Sequence, residues 1–334
     1  MAETRAERNY CLDFVKGIAC ISVVFMHCEF PGTLGTLVQC VSRFCVPYFF
    51  MVSGYFSYYE NGRSFPAARK IKHILIIIAA STVFYLLFAA AKYLFLGESI
   101  SVSGKSVIFF LLFNKPFIIA GQLWFLFSLL YVYILYAITD KLKMQKIAYY
   151  LIPVLILVYI SLAQGCHIIG VSVANMIYRN FLIEGLAFFM LGHLIHRYRE
   201  RITEKLSNEL LVTVIVLSTL LCIPERYAVG RDFGVNICTF PQVTAIFIFA
   251  VKNGNIGQNN ILTKFGKKYS MLVYVIHPFV WQSLKIAYSK LGIDDSTAAQ
   301  YLMPIMVLAL TVMLSLIVEK LIAAVSNKNQ KARV

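Results

Sequence analysis

Ten apolar runs follow one another along this chain, each close to the 17–25 residues that a helix needs to cross a hydrocarbon core. They fall at 10–29, 38–59, 73–96, 117–139, 146–163, 173–196, 208–223, 234–251, 269–290 and 301–324. A bilayer-exposed backbone must satisfy its own hydrogen bonds, and a helix does so within one segment. The expected fold is therefore all-α, a polytopic membrane bundle of about ten transmembrane helices. Composition agrees: 59% of the 334 residues are hydrophobic and 14% are charged, against about 25% charged in typical soluble domains. The apolar stretch 105–113 is too short to span and fits an interfacial or re-entrant piece. Connections are short, so 1–334 reads as a single integral membrane domain, with a short solvated cytoplasmic tail from about 325.

The chain holds 31 Lys and Arg against 16 Asp and Glu, for a formal net charge of +15. In a soluble protein this excess would suggest nucleic acid. Here the charges sort by loop. With a cytoplasmic N-terminus, the inner connections carry Arg5 and Arg8, then Arg69, Lys70 and Lys72, then Lys141 and Lys143. They go on with Arg197, Arg199 and Arg201, then Lys264, Lys267 and Lys268, and finally Lys331 and Arg333. The outer connections carry few. This is the positive-inside pattern. It puts both termini in the cytoplasm and makes the basic excess a topology signal, with no nucleic-acid partner expected. The first run lacks a small-residue cleavage site and contains charges, so no cleaved signal peptide is expected. The eight cysteines form no Cys-x-x-Cys pair and read as small buried thiols. Cys28 and Cys40 flank the first outer loop, and a disulfide there stays open. No His-x-x-x-His or clustered carboxylate set has metal-ligand spacing, so no metal is expected.

Charges inside spans cost at least about 2.5–3.5 kcal/mol each and usually mark a site or a pathway. The first run reads "LDFVKGIACISVVFMH". Lys16 and His27 are eleven residues apart, which places them on nearly one helix stripe, roughly 16 Å apart along the axis. Asp13 precedes Lys16 by three and can pair with it. That pair is either structural or part of a site. His27 is either a hydrogen-bonded interior histidine or a general base. The second run, "RFCVPYFFMVSGYF", combines Arg43, a Pro47 that can free a backbone carbonyl, and the small residues Ser53 and Gly54. Arg69 and Lys72 share a face at the start of the third run, as membrane anchors or as a phosphate-binding patch. Trp124 opens "WFLFSLLYVY", which by itself suits an interfacial aromatic belt. Arg179 and Glu184 lie in "RNFLIEG", five apart, a poor helical spacing for a direct pair. His277, in "YVIHP", is another histidine within a span, structural or functional.

In this order the pieces resemble the acyltransferase-3 family of bacterial integral membrane proteins, over most of the chain. The resembling features are Lys16 and His27 with ten residues between them, "VPYFFMVSGYF", the basic pair Arg69 and Lys72, "LWFL", "RNFLIEGLAFFMLG" and "YVIHP". Two departures stand out. Lys72 replaces an arginine that the family often shows, which keeps charge but weakens bidentate phosphate geometry. Gln122 stands where a histidine often precedes "LWFL". The resemblance implies an O-acyltransferase of the bacterial plasma membrane, with acetyl-CoA or another acyl-CoA as donor. The acceptor would be a carbohydrate hydroxyl of a cell-surface glycan or lipid-linked sugar. It implies His27 as the catalytic base, assisted by Lys16, Asp13 and Arg43, and CoA phosphates at Arg69 and Lys72. Ser53, Trp124, Arg179, Glu184 and His277 would bind substrate or support the site. Some relatives, such as the membrane half of vancomycin-resistance serine racemases, are associated with uptake instead. A small-molecule or glycan transporter using the same buried groups is therefore the alternative reading.

Overall fold

The computed structural model of the protein describes residues 8–59, 65–98, 104–116, 121–230 and 233–331. Arg5, Arg333 and the first residues of the fourth expected run, 117–120, lie outside them. The described residues form helices and contain no strand. In chain order the first helices are α1 (Tyr10–His27), α2 (Gly32–Ser42), α3 (Cys45–Tyr55), α4 (Ala67–Leu96), α5 (Gly104–Phe113) and α6 (Trp124–Lys141). Then come α7 (Gln145–Ile160), α8 (Cys166–Ile168), α9 (Asn175–Tyr178), α10 (Leu186–Arg197), α11 (Arg199–Lys205) and α12 (Asn208–Val229). The last four are α13 (Thr239–Lys252), α14 (Ile261–Lys268), α15 (Ser270–Leu291) and α16 (Thr297–Lys331). Wider π-helical turns join α7 to α8 at Ser161–Gly165 and lead into α10 at Phe181–Gly185.

Among the described residues seven helical stretches are long and apolar enough to cross a membrane: Tyr10–His27, Gly32–Tyr55, Ala67–Leu96, Gly121–Lys141, Gln145–Ile168, Asn208–Val229 and Thr297–Ala324. Their outward faces are apolar. On α4, Leu87, Leu94 and Phe95 are 67%, 74% and 81% exposed, which suits lipid and not water. The chain is a multi-pass membrane protein. The expected tail from about 325 is helical, since α16 runs on to Lys331. All eight cysteines are free thiols, and Cys28 and Cys40 are both buried. Pro47 does not bend a continuous helix. The chain breaks earlier, at Arg43 and Phe44, and Pro47 sits in the first turn of α3, where its missing amide costs no helical bond.

The chain forms two compact units, Met1–Ser42 with Asn253–Val334, and Arg43–Lys252. In the first, α1 packs on α2, α14, α15 and α16. Its core includes Cys20, Val24, Val273, Ile276, Val280 and Val307. The α1–α14 contact is close because Gly17 and Gly266 carry no side chain; a Cβ on either would strike backbone of the other helix. In the second unit, α3 packs on α10 and α13, α4 on α6, and α12 on α13. Gly54 lies against the Phe189 carbonyl and Gly192 against the Met51 backbone. These small residues let two membrane helices touch, and packing of that kind drives association where lipid removes the hydrophobic force. Gly54→Ala or Gly192→Ala is expected to cost about 1–3 kcal/mol through overpacking. Gly104→Ala, with nothing within 4 Å of the new carbon, is expected to be nearly neutral. Thermal unfolding in detergent checks the contrast.

Candidate functional site

In the first unit, α1 is fixed at its start. The Asn9 side chain accepts the Leu12 amide at 2.9 Å. The Gly254 carbonyl accepts the amides of Tyr10 and Cys11 at 2.7 and 3.2 Å. Asp13 lies in the first turn, where a carboxylate favours the positive end of the helix dipole. It pairs with Lys16 at 2.6 Å, as the three-residue spacing suggests, and also with Arg8. One carboxylate thus holds two cations at this end. Lys16 and His27 sit eleven residues apart in one regular helix, so about 16 Å of rise separates them.

His27 is the last residue of α1 and is half-buried. Its ring stacks on that of His277, with centroids 5.3 Å apart and planes 19° from parallel. His277 is fully buried, inside α15 and just before Pro278. Its Nδ1 lies 3.0 Å from the Val273 carbonyl. A carbonyl only accepts, so Nδ1 carries the hydrogen and Nε2 carries a lone pair. That Nε2 is buried without a hydrogen-bond partner among the described residues. A buried orphan acceptor is uncommon in a folded protein.

In the second unit, Arg43 is 7% exposed at the break before α3. Arg179 and Glu184 form an ion pair, Nε to Oε2 at 3.7 Å. This overturns the expectation from helical spacing, and the reason is local. Arg179 ends α9 outside the helical region and Asn180 is extended, so the five-residue spacing does not run along one helix. Asn180 then caps the π turn, its side chain accepting the amides of Leu182 and Ile183 at 2.9 and 3.0 Å. The arrangement turns Glu184 inward, where it is 1% exposed. Neither carboxylate oxygen has a hydrogen-bond partner among the described residues, and the charges of Arg179 and Arg43 both act on it. Arg179 also lies over the Trp124 ring, 5.3 Å from its centroid. Trp124, Arg179, Asn114 and Asn175 line a cavity of about 420 Å³. Asn114 anchors this end, accepting the Phe181 amide at 2.8 Å.

A second cavity, of about 240 Å³, lies toward the other end of this unit, lined by Tyr58, Phe65, Tyr136, Tyr149, His193 and Arg197 among others. Trp124 and Tyr136 are twelve residues apart in α6, which is roughly 18 Å of rise. His193 lies 2.5 Å from the Tyr136 hydroxyl through Nε2 and 2.8 Å from the Tyr149 hydroxyl through Nδ1. Tyr136 donates to the Ser57 carbonyl at 3.3 Å. Since a hydroxyl has one hydrogen, the directions are fixed: Tyr149 donates to His193, His193 to Tyr136, and Tyr136 to Ser57. Sequence reading missed this group. The available signal was His193 and Arg197, two polar residues four apart at the end of an apolar run.

Arg69 and Lys72 are both exposed on α4. Lys70 between them turns inward, donating to the Phe56 carbonyl at 3.0 Å and lying 5.6 Å from the Tyr133 ring. The Ser53 hydroxyl donates back to the Phe49 carbonyl at 2.9 Å. The structure thus brings together Asp13 with Lys16, His27 with His277, and Trp124 with Arg179 and Glu184. Among the described residues no group of three or more His, Cys, Asp or Glu is placed to hold a metal ion.

A family model described as an acyltransferase domain matches residues 9–322, nearly the whole chain. No curated protein and no solved structure gives a significant match.

Proposed function

The chain belongs to the acyltransferase-3 family, and from that premise we propose that it is an O-acyltransferase moving an acetyl group from acetyl-CoA to a glycan hydroxyl. The acceptor is a cell-surface carbohydrate or its lipid-linked precursor. The observation that carries this reading is the stacked pair His27 and His277, in a chain that an acyltransferase family model covers. In the reaction the His27 imidazole removes the acceptor hydroxyl proton as the oxygen attacks the thioester carbonyl carbon. The C–S bond breaks, and CoA leaves as the thiol with that proton. His277, its Nδ1 hydrogen tied to Val273, presents a lone pair to a donor group beside His27. Lys16 and Asp13 are too far along α1 to touch the same atoms and act as positioning residues. Arg43 supports the Arg179–Glu184 pair. The Trp124 face with Asn114 and Asn175 suits a carbohydrate, which combines an apolar ring face with many hydroxyls.

The topology we read has ten spans in the bacterial plasma membrane. The three beyond the seven long apolar stretches contain α10, α13 and α15, and both termini face the cytoplasm. Arg69 and Lys72 then lie on the side that holds CoA. Arg69→Ala combined with Lys72→Ala is expected to weaken CoA binding about tenfold, the loss of charge-assisted phosphate contacts. Unchanged affinity leaves these residues as membrane anchors only.

The deciding experiment uses purified protein in lipid nanodiscs, a glycan extract and acetyl-CoA labelled in the acetyl group. Labelled ester should form in step with free CoA thiol. Accumulation of a solute in proteoliposomes with no CoA consumed would instead establish the transporter.

A further inference from the structure

We propose that the cavity bounded by Tyr58, Tyr136, Tyr149, His193 and Arg197 seats the adenine nucleotide of the donor, an inference that rests on acyl-CoA being that donor. Its position is the first reason. Tyr58 and Phe65 flank one connection of the second unit, Asp140 and Gln145 bound the one between α6 and α7, and Arg197 begins the one after α10. All three connections are cytoplasmic in the topology read from Lys and Arg. The Phe65 amide donates to Asp140 at 3.2 Å, and Tyr136 and Tyr149 both reach His193. Residues at the ends of all three connections therefore line one cavity, on the side where CoA is found.

The walls suit a nucleotide better than the slim pantetheine arm. About 240 Å³ accommodates a purine and part of its ribose. The lining supplies several aromatic faces on which a base stacks. Those faces are set before any ligand arrives. The directional chain from Tyr149 through His193 and Tyr136 to the Ser57 carbonyl occupies both imidazole nitrogens, so the tyrosines lose little freedom on binding. Tyr58 packs edge-on to His193 at 5.1 Å.

Charge gives the cavity a direction. The Arg197 guanidinium lies over the rings of Tyr149 and Tyr198, 5.6 and 5.5 Å from their centroids. It has five N–H donors, more than one tyrosine hydroxyl can use, and the rest suit phosphate oxygens. Asp140 has Oδ1 taken by Gln145 at 2.7 Å and Oδ2 by the Phe65 amide. It repels phosphate and favours the amino edge of adenine. The base thus points toward Asp140 and the phosphates toward Arg197.

The test measures competition with radiolabelled CoA on the full-length protein in detergent. Adenosine 3′,5′-bisphosphate should displace CoA from the wild type, and 4′-phosphopantetheine should do so far less well. Arg197→Gln should weaken both CoA and the bisphosphate about tenfold or more, as expected for a lost hydrogen bond to a charged group. Arg197→Lys should recover part of that loss, and Tyr58→Leu should weaken the bisphosphate while leaving the charges in place. Gel filtration and thermal unfolding establish that each variant is folded. If CoA binds the wild type and all three variants equally, the nucleotide lies elsewhere and this inference fails alone. If the wild type binds no CoA, the donor reading fails and this inference fails with it.

Discussion

His27→Ala is expected to lower ester formation by about 10²–10⁴-fold, the usual contribution of a positioned general base, while CoA still binds. The substitution is mild for the fold. His27 is the last residue of α1, half-buried, and alanine is the best helix former. The helix end is held independently: the Cys28 amide bonds the Val24 carbonyl at 2.9 Å and Gln39 donates to the Met26 carbonyl at 2.9 Å. A fall in turnover with an unchanged melting temperature would therefore report chemistry. His277→Gln provides the comparison. It keeps a polar side chain in a fully buried position but removes the ring that stacks on His27. It should reduce turnover by less than the loss of His27 and also lower stability, because a buried ring is lost. Both rates come from the labelled acetyl-CoA assay. Full transfer by folded His27→Ala protein would remove this residue from the reaction.

Glu184→Ala is expected to destabilise the protein by about 3–5 kcal/mol, the range for stripping one partner from a buried ion pair. The carboxylate is 1% exposed and lies 3.7 Å from Arg179, with Arg43 also acting on it. Without it, Arg179 and the buried Arg43 both lose the carboxylate that offsets their charge. Arg179→Met alone should also cost stability, since it leaves Glu184 buried and removes the cation over Trp124. The double variant Arg179→Met with Glu184→Met should be more stable than either single change, because a buried pair replaced by apolar groups is often neutral. Thermal unfolding of the wild type, Arg179→Met, Glu184→Met and the double variant closes the cycle and gives the coupling. Strict additivity would mean that the pair does not interact.

Seven of the apolar runs were legible as membrane-crossing helices because each has the length that a bilayer requires. The pair Asp13 and Lys16 was legible because three residues in one regular helix fix the geometry. Arg179 and Glu184 were misjudged for the converse reason. Spacing is informative only where the helix is continuous, and the chain leaves the helix at Arg179 and Asn180. Pro47 was similar: proline marked a break, but its place in the first turn of α3 moved that break upstream to Arg43. His193 was passed over because one polar residue in an apolar run carries no partner with it. Its two tyrosines come from α6 and α7.

The sequence by itself determined the class of molecule: a helical, multi-pass membrane chain. Local rules suffice for that, because hydrogen bonding within a segment and burial in lipid are properties of each helix alone. Tertiary structure decided which polar groups meet. His27 meets His277 because α1 and α15 pack side by side in one unit. The cavity at Arg197 exists because residues far apart in the chain, Tyr58, Phe65, Tyr136, Tyr149 and His193 among them, line the same space. Such meetings depend on the register and closeness of helix pairs, which Gly17, Gly54, Gly192 and Gly266 set through backbone contact. No periodicity within one segment encodes them.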